Sequence, residues 1–146
     1  MASESRATTV WEGSLEKGRG ETTTDSGVLS QVEVTWPARV ERTSDTTSPE
    51  ELLAAAHAAC FCMGFSHELD GDGYTPDRLE ATATVSFVPG EGVKSSRIEV
   101  SGNAEGIDQA GFERAARAAG EGCPISGALK GNVEIRVDAT LSPYGR

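Results

Sequence analysis

Residues 48–69, SPEELLAAAHAACFCMGFSHEL, constrain the fold of this chain more than any other stretch. Ser48 is a good N-cap, Pro49 suits the first helical position, where no amide hydrogen is needed, and Glu51 completes a Ser-x-x-Glu capping box. A helix is therefore expected over 49–69, ending in the turn-forming run Asp70-Gly71-Asp72-Gly73. Its middle holds Ala54, Ala55, Ala56, Ala58 and Ala59. Small apolar residues on every side let neighbours approach closely, so burial on most faces is expected.

The flanking sequence reads mainly as strands. Residues 8–12 form a short strand, 16–20 a turn, 21–24 a second strand, and Asp25-Ser26-Gly27 another turn. Val32-Glu33-Val34-Thr35-Trp36 alternates apolar and polar as a half-buried strand does, with Val40 extending it past Pro37. Residues 79–88 and 96–104 alternate likewise, joined by Pro89-Gly90-Glu91-Gly92. Residues 108–119 read as a second helix, broken by Gly120-Glu121-Gly122. Cys123-Pro124 opens a short third helix to residue 129, and 133–141 is a last strand. The order βββ-α-ββ-αα-β describes an α+β fold, with mainly antiparallel sheets flanking a long central buried helix. At 146 residues the chain suits a single domain over 1–146.

A formal net charge of −10 opposes phosphate backbones and anionic lipid, so neither nucleic acid nor membrane is an expected partner. No apolar run is read as reaching the roughly 20 residues of a membrane span. The first ten residues, MASESRATTV, lack the apolar segment of a secretory signal. Three cysteines do not suggest a secreted disulfide framework; they suit a reducing, cytoplasmic setting with at least one reactive thiol. A domain of this length buries roughly 70% of its unfolded surface, and a second copy would cover much of the rest.

The thiols are the first chemical candidates. Cys60, mid-helix in AHAACF, is either a small hydrophobe or a reactive group. Cys123 precedes Pro124 and falls at a helix N-cap, where amide donors and the helix dipole favour thiolate; alternatively it fills a turn between glycines. Cys62 lies about 200° round the helix from Cys60, so the two form no local dithiol, and Cys62 reads as core. His57, Cys60 and His67 share a helix face within roughly 80° and, with Cys123, resemble a zinc set. His67 lies roughly 10 Å along the axis from Cys60, which opposes joint ligation, and both histidines read as hydrogen-bonded fillers. No phosphate loop or Gly-x-Ser-x-Gly elbow is present.

The block from Pro49 to Phe61, with Gly122-Cys123-Pro124, WEGSLEKGRG, DSGVL and Arg39 in ARVE, resembles the osmotically inducible protein C and organic hydroperoxide resistance (OsmC/Ohr) family. These segments fall in family order along nearly the whole chain, and HAAC makes the OsmC branch the nearer one. The resemblance implies an OsmC-like fold, an intertwined homodimer with its sites at the subunit interface, and a two-cysteine peroxidase. By that comparison Cys60 is the peroxidatic thiol and Cys123 the resolving one, with Arg39 and Glu50 as polar partners. It implies no bound cofactor or metal, an organic hydroperoxide as substrate, and an external dithiol or lipoyl-type reductant. Cys62 departs from the family pattern, which commonly has Ser or an apolar residue there. The Ohr branch draws its arginine from the first hairpin, which here offers Lys17 and Arg19.

A guanidinium beside Cys60 would offset the effect of apolar surroundings on its thiolate, and Glu50 would orient that guanidinium. Glu50 and Cys60 are ten residues apart, roughly 15 Å along a straight helix and about 80° apart in direction. One helix cannot bring both to one site. Two such helices packed antiparallel across a twofold axis can.

Overall fold

The computed structural model describes residues 1–42 and 45–142, so the ends of the expected 1–146 domain beyond Ser142, and residues 43–44, lie outside the described residues. The chain divides into two compact units, Met1–Leu52 and Leu53–Arg146.

In the first unit, β1 (Ala7–Glu12), β2 (Arg19–Thr24) and β3 (Val32–Val34) form an antiparallel sheet in that order. Trp11 pairs with Gly20. A Cβ on Gly20 would stand 2.8 Å from the Trp11 ring, so glycine is what lets the indole lie across β2. The strand expected to run on through Trp36 and Val40 stops at Val34. Thr35 instead caps a short helix, α1 (Trp36–Glu41), accepting from the Ala38 amide at 3.2 Å, and Pro37 lies in its first turn. Thr35 and Pro37 are an N-cap and an early-helix proline, and these signals outweigh the alternation that precedes them.

The long helix, α2 (Pro49–Gly71), begins where expected. Ser48 accepts from the Glu51 amide at 3.1 Å. The other half of the capping box is replaced: the Glu51 carboxylate accepts from the Thr47 hydroxyl.

In the second unit, β4 (Pro76–Val88) and β5 (Gly92–Ala104) form an antiparallel hairpin whose turn glycines, Gly90 and Gly92, have φ of +84° and +97°. The helices α3 (Gln109–Gly122) and α4 (Pro124–Leu129) follow, then β6 (Glu134–Leu141). β6 pairs with β5 in parallel, Ile98 opposite Val137. A parallel partner needs a crossover, which α3 and α4 provide. The fold is α+β, with antiparallel pairing predominant.

The core belongs to the second unit. Phe61, Phe65 and Leu69 recur every fourth residue of α2 and pack with Ile98 and Val100 of β5 and Phe112, Ala115, Ala116 and Ala119 of α3. Phe65 lies 4.8 Å from Phe112 and 5.7 Å from Phe61, ring centre to ring centre. Burial of α2 is narrower than its composition suggests. Ala55, Ala56, Ala59 and Ser66 are exposed, and Met63 is 75% exposed. Residues 52–67 carry no Asp, Glu, Lys or Arg. By length and composition alone α2 is long and apolar enough to cross a membrane, a test that the core helix of a soluble fold also passes.

Candidate active site

Cys60 and Cys123 are 63 residues apart in sequence, yet their Sγ atoms lie 2.9 Å apart, both as free thiols. Two features set this approach. Cys60 immediately precedes Phe61, which is fully buried in the core. Cys123 ends α3 and caps α4, in extended backbone (φ −68°, ψ 119°), with Pro124 in the first turn of α4. Its Sγ accepts from the Ser126 amide at 3.5 Å. Gly122 thus extends α3 three residues beyond its expected end, and the helix stops only where the thiol takes over the cap.

The two thiols are electrostatically unequal. Burial pushes the Cys60 thiol up, and the neighbouring Cys123 pushes it further, against the Ile125 amide. Burial raises Cys123 too, but donors overcome it: the Cys60 thiol, the Ser126 amide and hydroxyl, and the Ile125 amide hold it below its ordinary value. Within one chain Cys123 is the more acidic of the pair. Cys62 is half-buried rather than core, and burial raises its thiol against a bond from the Ala81 backbone.

Arg39 and Glu50 form the second constellation, within the first unit. The guanidinium grips the carboxylate in a fork: Nε donates to Oε1 and Oε2 at 3.1 Å each, and Nη2 donates to Oε2 at 2.9 Å. The Trp36 ring centre lies 5.9 Å from the guanidinium carbon. Glu50 is buried and the Arg39 side chain 31% exposed. The hairpin cations are held more loosely. Exposed Arg19 stands 3.8 Å from half-buried Glu21 and 4.0 Å from half-buried Glu33, and the Lys17 side chain is exposed.

His57 was read as a filler, and its burial is complete. Its environment was not visible in the sequence. Nδ1 lies 2.6 Å from Ser96 Oγ and Nε2 lies 2.8 Å from Ser126 Oγ, so both ring nitrogens are engaged by serines 39 and 69 residues away. That arrangement opposes the zinc reading, as does His67, which is exposed. Among the described residues no group of three His, Cys, Asp or Glu side chains is placed to hold a metal.

The thiol pair is part-buried, with Cys123 at a helix N-cap and Cys60 in the middle of α2. Residues 42–138 match the OsmC-like protein family. The chain belongs to that family. It is 38% identical over 134 residues to peroxiredoxin OsmC of Escherichia coli, covering 90% of this chain and 92% of that one. It is 31% identical over 121 residues to organic hydroperoxide resistance protein OhrB of Bacillus subtilis, covering 82% and 88%. Its fold resembles the crystal structure of an organic hydroperoxide resistance protein OsmC from Legionella pneumophila, with a TM-score of 0.70 at 26% identity over 92% of this chain and 96% of that one. The OsmC/Ohr resemblance read from the Pro49–Phe61 block and Gly122-Cys123-Pro124 is thereby confirmed.

Proposed function

We propose that this chain is a cofactor-free, two-cysteine thiol peroxidase that reduces organic hydroperoxides to alcohols in oxidative or osmotic stress defence. The single observation that carries this reading is the 2.9 Å approach of the Cys60 and Cys123 sulfurs. A disulfide has sulfurs about 2.05 Å apart, so only a small closure separates the dithiol from the bonded state. The names of the family relatives, a peroxiredoxin and organic hydroperoxide resistance proteins, agree with it.

In the proposed cycle the Cys60 thiolate attacks the terminal peroxide oxygen, the O–O bond breaks, and the alkoxide leaves with a proton as alcohol. Cys60 becomes a sulfenic acid. Cys123 attacks that sulfur, releasing water and forming the Cys60–Cys123 disulfide. An external dithiol, lipoyl-type or similar, reduces it by exchange. The cytoplasm suits this cycle, because its thiol pool keeps cysteines reduced.

Cys60 needs a cation for this role, since burial and Cys123 both oppose its thiolate. We assign that cation to Arg39, held by Glu50, and place it at the Cys60 of a second copy. The chain would then act as one functional domain in an intertwined homodimer whose α2 helices lie at the centre. Exposed apolar surface supports a second copy: Met63 and the alanine face of α2, and β1, whose six residues are all exposed, Val10 by 61%. An apolar vestibule made by that alanine face favours bulky hydroperoxides through burial worth about 25 cal/mol per Å².

The test is peroxide consumption with dithiothreitol or dihydrolipoamide as reductant. Cumene hydroperoxide should give the higher kcat/KM. Equal or reversed efficiency against hydrogen peroxide removes the assignment to organic substrates.

A further inference from the structure

The disulfide of the proposed cycle offers an external dithiol two sulfurs, and the chain surrounds them unequally. Cys60 is half-buried in the middle of α2, whereas Cys123 is 1% exposed. Cys123 is enclosed at the junction of α3 and α4, with the Ser126 amide 3.5 Å from its sulfur. Ser126 is itself 5% exposed, and its hydroxyl lies 2.8 Å from Nε2 of the fully buried His57. The residue whose amide meets the Cys123 sulfur is therefore held in place from behind.

We propose that the reductant attacks the Cys60 sulfur and expels Cys123 as the leaving group, so that the mixed disulfide of the reductive half-cycle forms on Cys60. The proposal rests on the peroxidase reading for the presence of the disulfide in the cycle. The choice of sulfur rests on burial and hydrogen bonding.

Access is the first reason. Exchange requires the incoming thiolate to reach the sulfur it attacks. A reagent the size of a dithiol reaches Cys123 only if the α3–α4 junction opens. Cys60 needs no such opening, and a hydroperoxide must reach the same atom. The alcohol has left before reduction begins, so one approach serves both halves of the cycle.

The leaving group is the second reason. A disulfide opens faster when the departing thiol is the more acidic. Burial raises the Cys123 thiol, but the Cys60 thiol and the amides of Ser126 and Ile125 bring it below its ordinary value. Those amides stay in place when Cys60 carries the reductant. Burial and Cys123 raise the Cys60 thiol against the Ile125 amide. Charge released by the breaking bond is thus better held on Cys123.

The step balances. A thiolate of the dithiol bonds to the Cys60 sulfur, the Cys60–Cys123 bond breaks, and its electron pair leaves on Cys123, which takes up a proton. The second thiolate of the reductant then attacks the reductant's own sulfur in the mixed disulfide. The bond to Cys60 breaks, and Cys60 leaves with the pair and a second proton. Two electrons and two protons pass from the dithiol to the cysteines, and the reductant closes to its cyclic disulfide.

The experiment oxidises the full chain with diamide, which links thiols without a hydroperoxide. After removal of diamide the protein meets 2-nitro-5-thiobenzoate, a monothiol with no second thiol to release its adduct. Acid quenching, denaturation, alkylation of free thiols with N-ethylmaleimide and fragment mapping locate the adduct over time. In the earliest samples the thiobenzoate should sit on Cys60, with Cys123 alkylated. An adduct on Cys123 in equal or greater amount overturns the proposal, as does failure of diamide to link the two sulfurs. A parallel sample oxidised with cumene hydroperoxide separates the two readings. If diamide forms the disulfide and the hydroperoxide does not, the peroxidase reading fails, and the adduct's position still decides which sulfur is attacked.

Discussion

In the second unit, the Cys60–Cys123 contact is set by packing. Cys60 rides beside Phe61, which is locked against β5 and α3, and Cys123 is fixed by the junction of two helices. In the first unit, the Arg39–Glu50 contact is set by charge and a forked hydrogen bond beside a single aromatic ring. The second unit holds three core phenylalanines. In the first, Val10, Leu15 and Val28 are exposed by 61%, 57% and 82%. The difference teaches that the thiol pair is organised by a core of its own. The Arg39 guanidinium is already oriented by Glu50, and in the proposed homodimer it would meet the thiols of a second copy.

The largest effects should fall on the thiols. Cys60→Ser should abolish hydroperoxide reduction, while Cys123→Ser allows about one oxidation event per site before stalling. Multiple turnover by Cys60→Ser with a dithiol would break the assignment of nucleophile.

The charge pair comes next. Glu50→Ala should lower kcat/KM by about a hundredfold, the scale of losing an oriented charged partner. Mixing the impaired Glu50→Ala with Cys60→Ser under subunit exchange should regenerate one intact site per heterodimer. Verified exchange without recovered activity would mean that Glu50 serves its own chain or none.

Stability should divide along the same line. Phe65→Ala removes the ring between Phe61 and Phe112 and should cost about 3–5 kcal/mol in denaturant unfolding. Val10→Ser should cost little in the isolated chain yet weaken self-association. Comparable unfolding losses for both would erase the contrast between the units.

The smallest effect is one of pH. Burial depresses the His57 pKa below its ordinary 6.5 in the folded chain, so below that value the unfolded chain binds the proton more readily. Stability contributed by neutral His57 is complete above about pH 6.5 and is lost as pH falls toward the folded value. The urea midpoint should therefore fall more steeply with acidification in the parent than in His57→Gln. Parallel profiles would show that folding does not lower the His57 pKa.

Much of this was legible in the sequence, for local reasons. Ser48 and Pro49 mark the start of α2, Asp108 caps α3 through the Gly111 amide at 2.8 Å, and Pro124 places Cys123 at a helix end. Arg39 and Glu50 came from the family resemblance and do meet. What stayed hidden was non-local or competing. Thr35 and Pro37 turned an alternating strand into α1. The parallel register of β6 depends on a crossover that no period reveals. Ser96 and Ser126 reach His57 across 39 and 69 residues, with no spacing signature. The exposed face of α2 was misread because a run of alanines describes a buried helix and a half-exposed one equally well.

The pairing of Cys60 with Cys123 is tested most directly by peptide mapping under non-reducing conditions, after reduced protein meets one equivalent of cumene hydroperoxide. The expected product is one intrachain link joining the peptides of Cys60 and Cys123, with Cys62 still alkylatable. A link through Cys62, or oxidation of Cys60 that never engages Cys123, would contradict it.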